Sequence, residues 1–314
     1  MTQTLRIFAD FSCCLEVEKK SAKIRNACVI RVPFIIMNQR AFFLLLLTAT
    51  LAFWGSCGTW ARGNCMKGAT VLVYTKNGKG YVHDNIPNAV ACLQKLGREQ
   101  GFSVTVSDEP TAFTDENLRQ FTVLIFASTN NDVFDTDAQR LAFRRYIEAG
   151  GGFVGIHSVL GTERNWLWFK RMMGGTFAWH PHFQPLRINV IAAKHPSVMG
   201  LPLTWEKQDE CYFMKELSPG PTVVMAHELA SVDAKDSTET AQIRLYSGQF
   251  TALYPAAWYY EYDGGHTWCT ALGHAKTDYE DSVFVQHLLG GIKYVAGLVK
   301  KIDYRNAYAT KFNE

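Results

Sequence analysis

Three histidines stand where the chain leaves a short apolar run, a common place for catalytic side chains in α/β proteins. His157 ends an apolar run that follows three glycines, His83 lies in a Gly-rich polar loop after an earlier run, and His274 follows the last such run. Strands of an open α/β sheet present their carboxyl ends to the ligand crevice, so polar residues there are placed for chemistry. Histidine titrates near neutrality and suits general acid–base catalysis. The same pattern fits buried structural histidines, and the local sequence does not decide between the two interpretations.

A second group of candidate side chains lies in and after an insertion rich in Trp, Gly and His, residues 163–182. Long insertions beyond strand ends often build the walls of binding sites. The tryptophans form either a sugar-stacking wall or the core of the insertion. With the loop around His83, these segments supply the residues that we predict to bind a substrate: Tyr81, Asp84, Glu163, Trp166, His180, Asp209, Tyr212 and His274.

A divalent metal ion is the competing chemical interpretation of the same residues. Two or three of these histidines with one carboxylate would make a zinc site. No His-Glu-x-x-His motif or comparable local spacing is present, so the sequence leaves the metal open. We interpret His182, His195 and His266 as structural or surface residues.

The elements that must position these residues alternate along the chain. Apolar runs at residues 69–75, 102–106 and 122–127 and the run before His157 predict four strands, separated by helices near Ile86, at 114–120 and from Thr136. Such alternation implies a parallel sheet with helices on both faces. The second half of the chain predicts strands at 186–192, 254–258 and 264–273, a polar surface loop or hairpin over 228–249, and a closing helix over 281–298.

Composition excludes some classes of function. The chain has 314 residues and a net charge of +3, and its basic residues are scattered rather than interleaved with aromatic ones. Nucleic-acid binding is therefore not expected, and one elaborated globular domain is. The sequence does not determine the oligomeric state, and a homo-oligomer is one of the alternatives.

The amino-terminal segment predicts a leader over residues 1–64 and a folded domain over 65–314. Residues 37–57 combine a basic flank, an uncharged apolar run and small residues before Cys57, which is the pattern of a secretory signal, and residues 1–36 read as an over-extended start. The end of the run resembles a bacterial lipoprotein site with Cys57 as the acylated residue. We therefore predict an exported, periplasmic or membrane-anchored protein that contacts the membrane only through that lipid. An ordinary apolar amino-terminal helix is the alternative.

The remaining cysteines suggest no nucleophile. Cys65, Cys92, Cys211 and Cys269 match no metal-knuckle or redox spacing. One disulfide could form in an oxidising compartment, but the sequence does not show which two cysteines it would join.

Five motifs in the same order resemble the ThuA-like (trehalose utilisation) family: residues 73–75 with 80–84, 150–157, 174–175 with 180–181, 209–212, and 270–274. The likeness extends from about residue 71 to 296. It implies the class I glutamine amidotransferase-like fold, a flavodoxin-like doubly wound, mostly parallel sheet. An amidotransferase would carry a nucleophilic cysteine after the Gly-rich strand, where this chain has His157, so thiol chemistry on an amide is not expected. Val82 stands where the family often has Arg.

The resemblance also implies a substrate class, since the family is associated with trehalose and with pathways that act on 3-keto sugars. We therefore predict proton transfer on a sugar or keto-sugar, either an isomerisation next to a carbonyl or an elimination-type cleavage. His157 would act as the base, and His83 and Glu210 would orient and protonate the substrate. The alternative from another class is a non-catalytic sugar-binding or accessory lipoprotein that partners a sugar dehydrogenase.

Overall fold

A computed structural model describes residues 66–312, which form an α/β domain with eleven strands and six α-helices. The strands are β1 Thr70–Tyr74, β2 Ser103–Ser107, β3 Val123–Ala127, β4 Gly152–Ile156, β5 Thr176–Trp179, β6 Gln184–Val190, β7 Thr204–Asp209, β8 Phe213–Lys215, β9 Thr222–Glu228, β10 Leu253–Tyr262 and β11 Gly265–Thr270. The helices are α1 Ile86–Gln100, α2 Asp115–Leu118, α3 Asp137–Glu148, α4 Leu167–Met173, α5 Ser237–Ser247 and α6 Ser282–Leu298.

Nine of the strands form one mixed sheet in the order β2-β1-β3-β4-β11-β10-β9-β6-β7. The first five are parallel, and the strands from β10 to β7 continue the sheet in antiparallel pairs. The parallel part has the flavodoxin-like order, in which the direction of winding reverses between β1 and β3 and opens a crevice at the carboxyl ends. The predicted doubly wound α/β fold is confirmed, and the antiparallel half makes the sheet mixed.

Helices cover both faces of the sheet, as predicted. On one face, α1 and α6 bury Leu93 and Ile292 against strand residues such as Val73. On the other face, α3 and α4 pack aromatic side chains, including Phe143 and Phe169, against the sheet. Apolar residues on both faces of a strand are typical of a parallel sheet covered on both sides.

The antiparallel half of the sheet curls back over the carboxyl end of the parallel half. Strand β7 lies four positions from β11 in the sheet, so a flat sheet would separate the two strands by about 19 Å. Yet the Asp209 carboxylate at the end of β7 accepts a hydrogen bond of 3.0 Å from the backbone N–H of Gly273, just after β11. The curvature therefore brings the residues after β7 to the crevice.

Local signals placed most helices correctly. The helices predicted near Ile86, from Thr136 and over 281–298 are present, and Thr136 with Gln139 forms the predicted capping box. The prediction of a loop or hairpin over 228–249 is wrong, because α5 lies within that range. The Asp236 side chain accepts the N–H of Glu239 at the start of α5. An acidic residue followed by Glu three positions later is a pattern typical of helix starts, and it could have predicted α5 although the segment has little amphipathic character.

The leader prediction, including Cys57, lies outside the described residues and stays a prediction, as does any role of Cys65. Within residues 66–312, none of the helices has both the length and the apolar character needed to cross a membrane. The three described cysteines, Cys92, Cys211 and Cys269, are buried free thiols.

The packing of α6 on β11 predicts opposite effects for two glycines of the same helix. A Cβ at Gly291 would lie 2.4 Å from the Trp268 indole, whereas a Cβ at Gly297 meets nothing within 4 Å. We expect Gly291→Ala to lower the free energy of unfolding by about 1–3 kcal/mol through overpacking. Gly297→Ala should raise it by up to about 1 kcal/mol through helix propensity. Urea unfolding of both variants checks this, and equal shifts would contradict the described packing.

Candidate active site at the carboxyl edge of the sheet

Loops from four strands of the main sheet and from the insertion converge on a pocket of about 340 Å³ at the carboxyl edge of the parallel strands. Its volume is at the lower end of the range for ligand clefts. The residues that line it are Tyr81, His83, Asn130, Ser158, Gly161, Arg164, Phe177, His180, Glu210 and Tyr212.

His157 lies directly behind this pocket, at the turn after β4. Its φ of +52° places a non-glycine residue in the left-handed region, which is a strained conformation of the kind found at functional turns. The imidazole is fully buried, and its Nδ1 lies 2.9 Å from the Ala271 carbonyl oxygen. Because a carbonyl only accepts, Nδ1 carries the proton and Nε2 presents its lone pair to the other members of the site.

Four further side chains gather around His157 Nε2. The distances from this nitrogen are 3.1 Å to Tyr212 Oη, 3.1 Å to His83 Nε2, 3.4 Å to His274 Nδ1 and 3.8 Å to Glu210 Oε2. Glu210 Oε2 in turn lies 3.1 Å from His274 Nδ1. We call His83, His157, Glu210 and His274 the His–Glu cluster; one ligand-type atom from each lies within 4.8 Å of all the others.

The electrostatics of the His–Glu cluster favour uncharged imidazoles at His83 and His157, an ionised carboxylate at Glu210 and a protonated imidazole at His274. Burial lowers the pKa of His83 to about 3, with a smaller effect from His157 and His274, and burial lowers the pKa of His157 to about 4. Burial would raise the pKa of Glu210, but His274 and the other imidazoles outweigh it and hold that pKa below its ordinary value. The Glu210 carboxylate raises the pKa of His274.

Asp209 is a positioning residue beneath the cluster rather than part of the pocket wall. Its carboxylate is fully buried and accepts hydrogen bonds from the backbone N–H groups of Glu210 at 2.9 Å, Gly273 at 3.0 Å and His274 at 3.3 Å. Burial raises the pKa of Asp209, but the Lys207 ammonium 3.1 Å away, His157 and the backbone N–H groups together outweigh it, so that pKa is lowered. One carboxylate thus orients the two segments that carry Glu210 and His274.

The structure does not bring every predicted binding residue to the pocket. The Glu163 carboxylate accepts the N–H groups of Val133 and Phe134 and pairs with Arg140 at 2.7 Å, so all its capacity is used inside the fold. Trp166 is a core residue, which agrees with the interpretation of the tryptophans as the core of the insertion. The exposed Asp84 carboxylate pairs with Lys276. Tyr81, His180 and Tyr212 do line the pocket, while Asp209 and His274 support it.

The sequence analysis did not predict five of the residues that line the pocket: Asn130, Ser158, Gly161, Arg164 and Phe177. Arg164 is held in place because its Nε donates to the Gly161 carbonyl at 2.9 Å, its Nη2 donates to Asn130 Oδ1 at 3.1 Å, and its guanidinium lies over the Phe177 ring. No carboxylate of residues 66–312 forms an ion pair with it, and burial lowers its pKa. The sequence signal that could have indicated a role in the pocket was position: Asn130 comes three residues after the end of β3, and Ser158 comes two residues after the end of β4.

A comparison of the sequence with known families identifies the family. The trehalose utilisation (ThuA) family matches residues 70–295. The chain belongs to the ThuA family. Family membership suggests a role in trehalose utilisation, as the sequence motifs implied.

Solved structures agree with this assignment. The chain is similar to a ThuA-like protein from Bacteroides uniformis, with 21% identity, a TM-score of 0.59, and coverage of 77% of this chain and 95% of that one. It is also similar to a ThuA-like protein from Parabacteroides merdae, with 20% identity, a TM-score of 0.56, and coverage of 73% and 90%. These likenesses support the fold. No curated protein matches the sequence at a significant level.

The role assigned to Glu163 predicts an effect on stability rather than on ligand binding. Glu163→Gln removes a charge that is 3% exposed and paired with Arg140, so we expect the free energy of unfolding to fall by about 2–4 kcal/mol. The matched control is Asp137→Asn, which removes the other carboxylate beside Arg140; that side chain is 70% exposed and should change stability by less than about 1 kcal/mol. Chemical unfolding of the two variants provides the comparison. Equal effects would contradict a buried structural role for Glu163.

Proposed function

We propose that this ThuA-family protein is a carbohydrate-active enzyme that moves a proton next to a carbonyl group of a keto-sugar. The observation that carries the proposal is the convergence of His83, Glu210 and His180 on one pocket, although they come from distant parts of the chain. Imidazole and carboxylate groups that face one small cavity are the groups that enzymes commonly use as general acids and bases.

The wall of the pocket suits a sugar ring. Tyr81 and Phe177 offer aromatic surface for its C–H groups, and Arg164, Asn130 and Ser158 offer donors and acceptors for its hydroxyls. The Ser158 hydroxyl is buried and has no hydrogen-bond partner within residues 66–312. The Arg164 guanidinium uses only some of its five donors on Gly161 and Asn130. Unsatisfied groups of this kind favour a polyhydroxylated ligand.

His180 is the better candidate for the base than His157. The His157 imidazole is fully buried behind His83 and Tyr212, so a substrate carbon cannot approach it. His180 is one-third exposed and lines the pocket, and its Nδ1 lies 2.7 Å from the Pro181 carbonyl oxygen. That carbonyl places the proton on Nδ1 and leaves the Nε2 lone pair free to accept a proton. Glu210 Oε1, 3.6 Å from His180 Nδ1, is close enough to stabilise the imidazolium that forms.

The reaction would begin when His180 removes the proton from the carbon next to the carbonyl. The electron pair of that C–H bond then forms the enediolate and places negative charge on the carbonyl oxygen. An isomerisation is completed when the hydroxyl proton of the deprotonated carbon moves to the former carbonyl oxygen and His180 returns its proton to the former carbonyl carbon. Departure of a glycosidic oxygen from the β position, with the proton passed to it, completes an elimination. Both outcomes use the same first step.

Hydrogen exchange provides the test. The full-length protein is mixed in deuterated water with trehalose, glucose and their 3-keto derivatives and followed by NMR. We expect deuterium to enter next to the carbonyl or the glycosidic signal to disappear. His180→Gln should slow this by about 10²- to 10⁴-fold, the usual contribution of a general base. His182→Gln is the matched control, because His182 pairs with Glu239 outside the pocket and should leave the rate unchanged.

Two outcomes would contradict the proposal. Broadening of the sugar signals without exchange or cleavage would favour the accessory sugar-binding protein. The absence of any response to these sugars would remove the carbohydrate assignment and leave the fold unaffected.

A further inference from the structure

We propose that the His–Glu cluster is a binding site for one divalent transition-metal ion, with zinc as the first candidate. The three imidazole nitrogens and the carboxylate oxygen come from the loops after β1, β4, β7 and β11. The sequence motifs that zinc sites usually show are absent because the ligands are brought together only by the curled sheet.

Four of the six distances between ligand atoms of the cluster are close to those between ligands of a common ion, and the other two are no longer than 4.8 Å. Zinc–nitrogen bonds of about 2.0–2.1 Å place the ligand atoms of a tetrahedral site about 3.3 Å apart. The measured separations are 3.1 Å for His157 Nε2 to His83 Nε2, 3.4 Å for His157 Nε2 to His274 Nδ1, and 3.1 Å for His274 Nδ1 to Glu210 Oε2. The longer 3.8 Å from His157 Nε2 to Glu210 Oε2 lies within ordinary distortion of such a site.

Hydrogen bonds leave one of the four ligand atoms of the cluster without a partner. The single lone pair of His157 Nε2 can accept the Tyr212 hydroxyl at 3.1 Å, and His83 Nε2 and His274 Nδ1 also lie 3.1–3.4 Å from that nitrogen. Glu210 Oε2 is buried and has no hydrogen-bond partner within residues 66–312, although His274 Nδ1 is 3.1 Å away. The two atoms are therefore spaced like two ligands of one ion.

The surroundings of the cluster resemble the second layer of a metal site. A metal-ligating histidine usually donates its other ring N–H to a carbonyl or carboxylate, and His157 donates to Ala271. Asp209 fixes the backbone of both Glu210 and His274.

The donor set indicates which ions fit. Imidazole nitrogen suits zinc, iron, nickel and copper, whereas magnesium and calcium prefer sites made of oxygen ligands. Since His83 and Glu210 also line the pocket, an ion held here faces the substrate space. It would act as a Lewis acid on a sugar oxygen and stabilise the charge of the enediolate. This catalytic role rests on the proposed function, but binding of the ion does not.

The test measures metal and not activity, so its failure is separable from that of the sugar chemistry. The full chain is purified with a tag that lacks histidine and dialysed, and its metal content is measured by mass spectrometry. We expect about one equivalent of a transition metal per chain in the unmodified protein and in His182→Ala, and less than about a tenth in His157→Ala and Glu210→Gln.

A second measurement covers the case in which a variant does not fold. The unmodified protein is stripped with a chelator, its circular dichroism is recorded, and Co²⁺ is added. We expect the visible absorption of Co²⁺ bound to nitrogen and oxygen ligands, saturating at one equivalent, and a rise in Tm. A folded, stripped protein that shows neither the absorption nor the rise, together with less than about a tenth of an equivalent of metal after purification, would overturn the inference.

Discussion

The buried carboxylate of Asp209 is the interaction on which the site depends. It stands at the end of the outermost strand of the antiparallel half and accepts backbone N–H groups of Gly273 and His274, which follow the central strand β11. A fully buried carboxylate is tolerated only when it is paired and hydrogen-bonded, and Lys207 and these N–H groups meet that condition. The curl of the sheet and the position of Glu210 are therefore maintained by the same few bonds.

The turn after β4 keeps a geometry that α/β enzymes commonly use for a nucleophile, but it carries an imidazole instead. His157 holds a positive φ there, as a residue at a strained strand-to-helix turn does. Burial raises the pKa of the Cys92 thiol to about 11 and that of Cys269 to about 12, and it raises the pKa of Cys211 as well. Thiolate chemistry is therefore not available to the described cysteines at neutral pH.

The base of the proposed reaction and the proposed metal site lie on two different sides of the pocket. His180 lies on the insertion side, partly exposed, with a free nitrogen lone pair. The His–Glu cluster lies on the side of the sheet and is rigidly held by Ala271 and Asp209. If a metal ion occupied the cluster, its positive charge would lie where the proposed enediolate develops negative charge, on the other side of the substrate space from His180.

The sequence by itself determined the fold class, the family and the histidines at strand ends. Apolar runs, capping residues and glycines act over a few residues, and parallel strands must present their carboxyl ends at one edge, so His83, His157 and His274 could be expected to meet. The motif at residues 209–212 also predicted Glu210 beside His157 and His83, and only the tertiary structure decided that Glu163 does not join them. The Glu163 carboxylate is used by nearby N–H groups and Arg140. Glu210 reaches the site through the curl of an antiparallel sheet, and apolar periodicity and capping residues do not encode that long-range geometry.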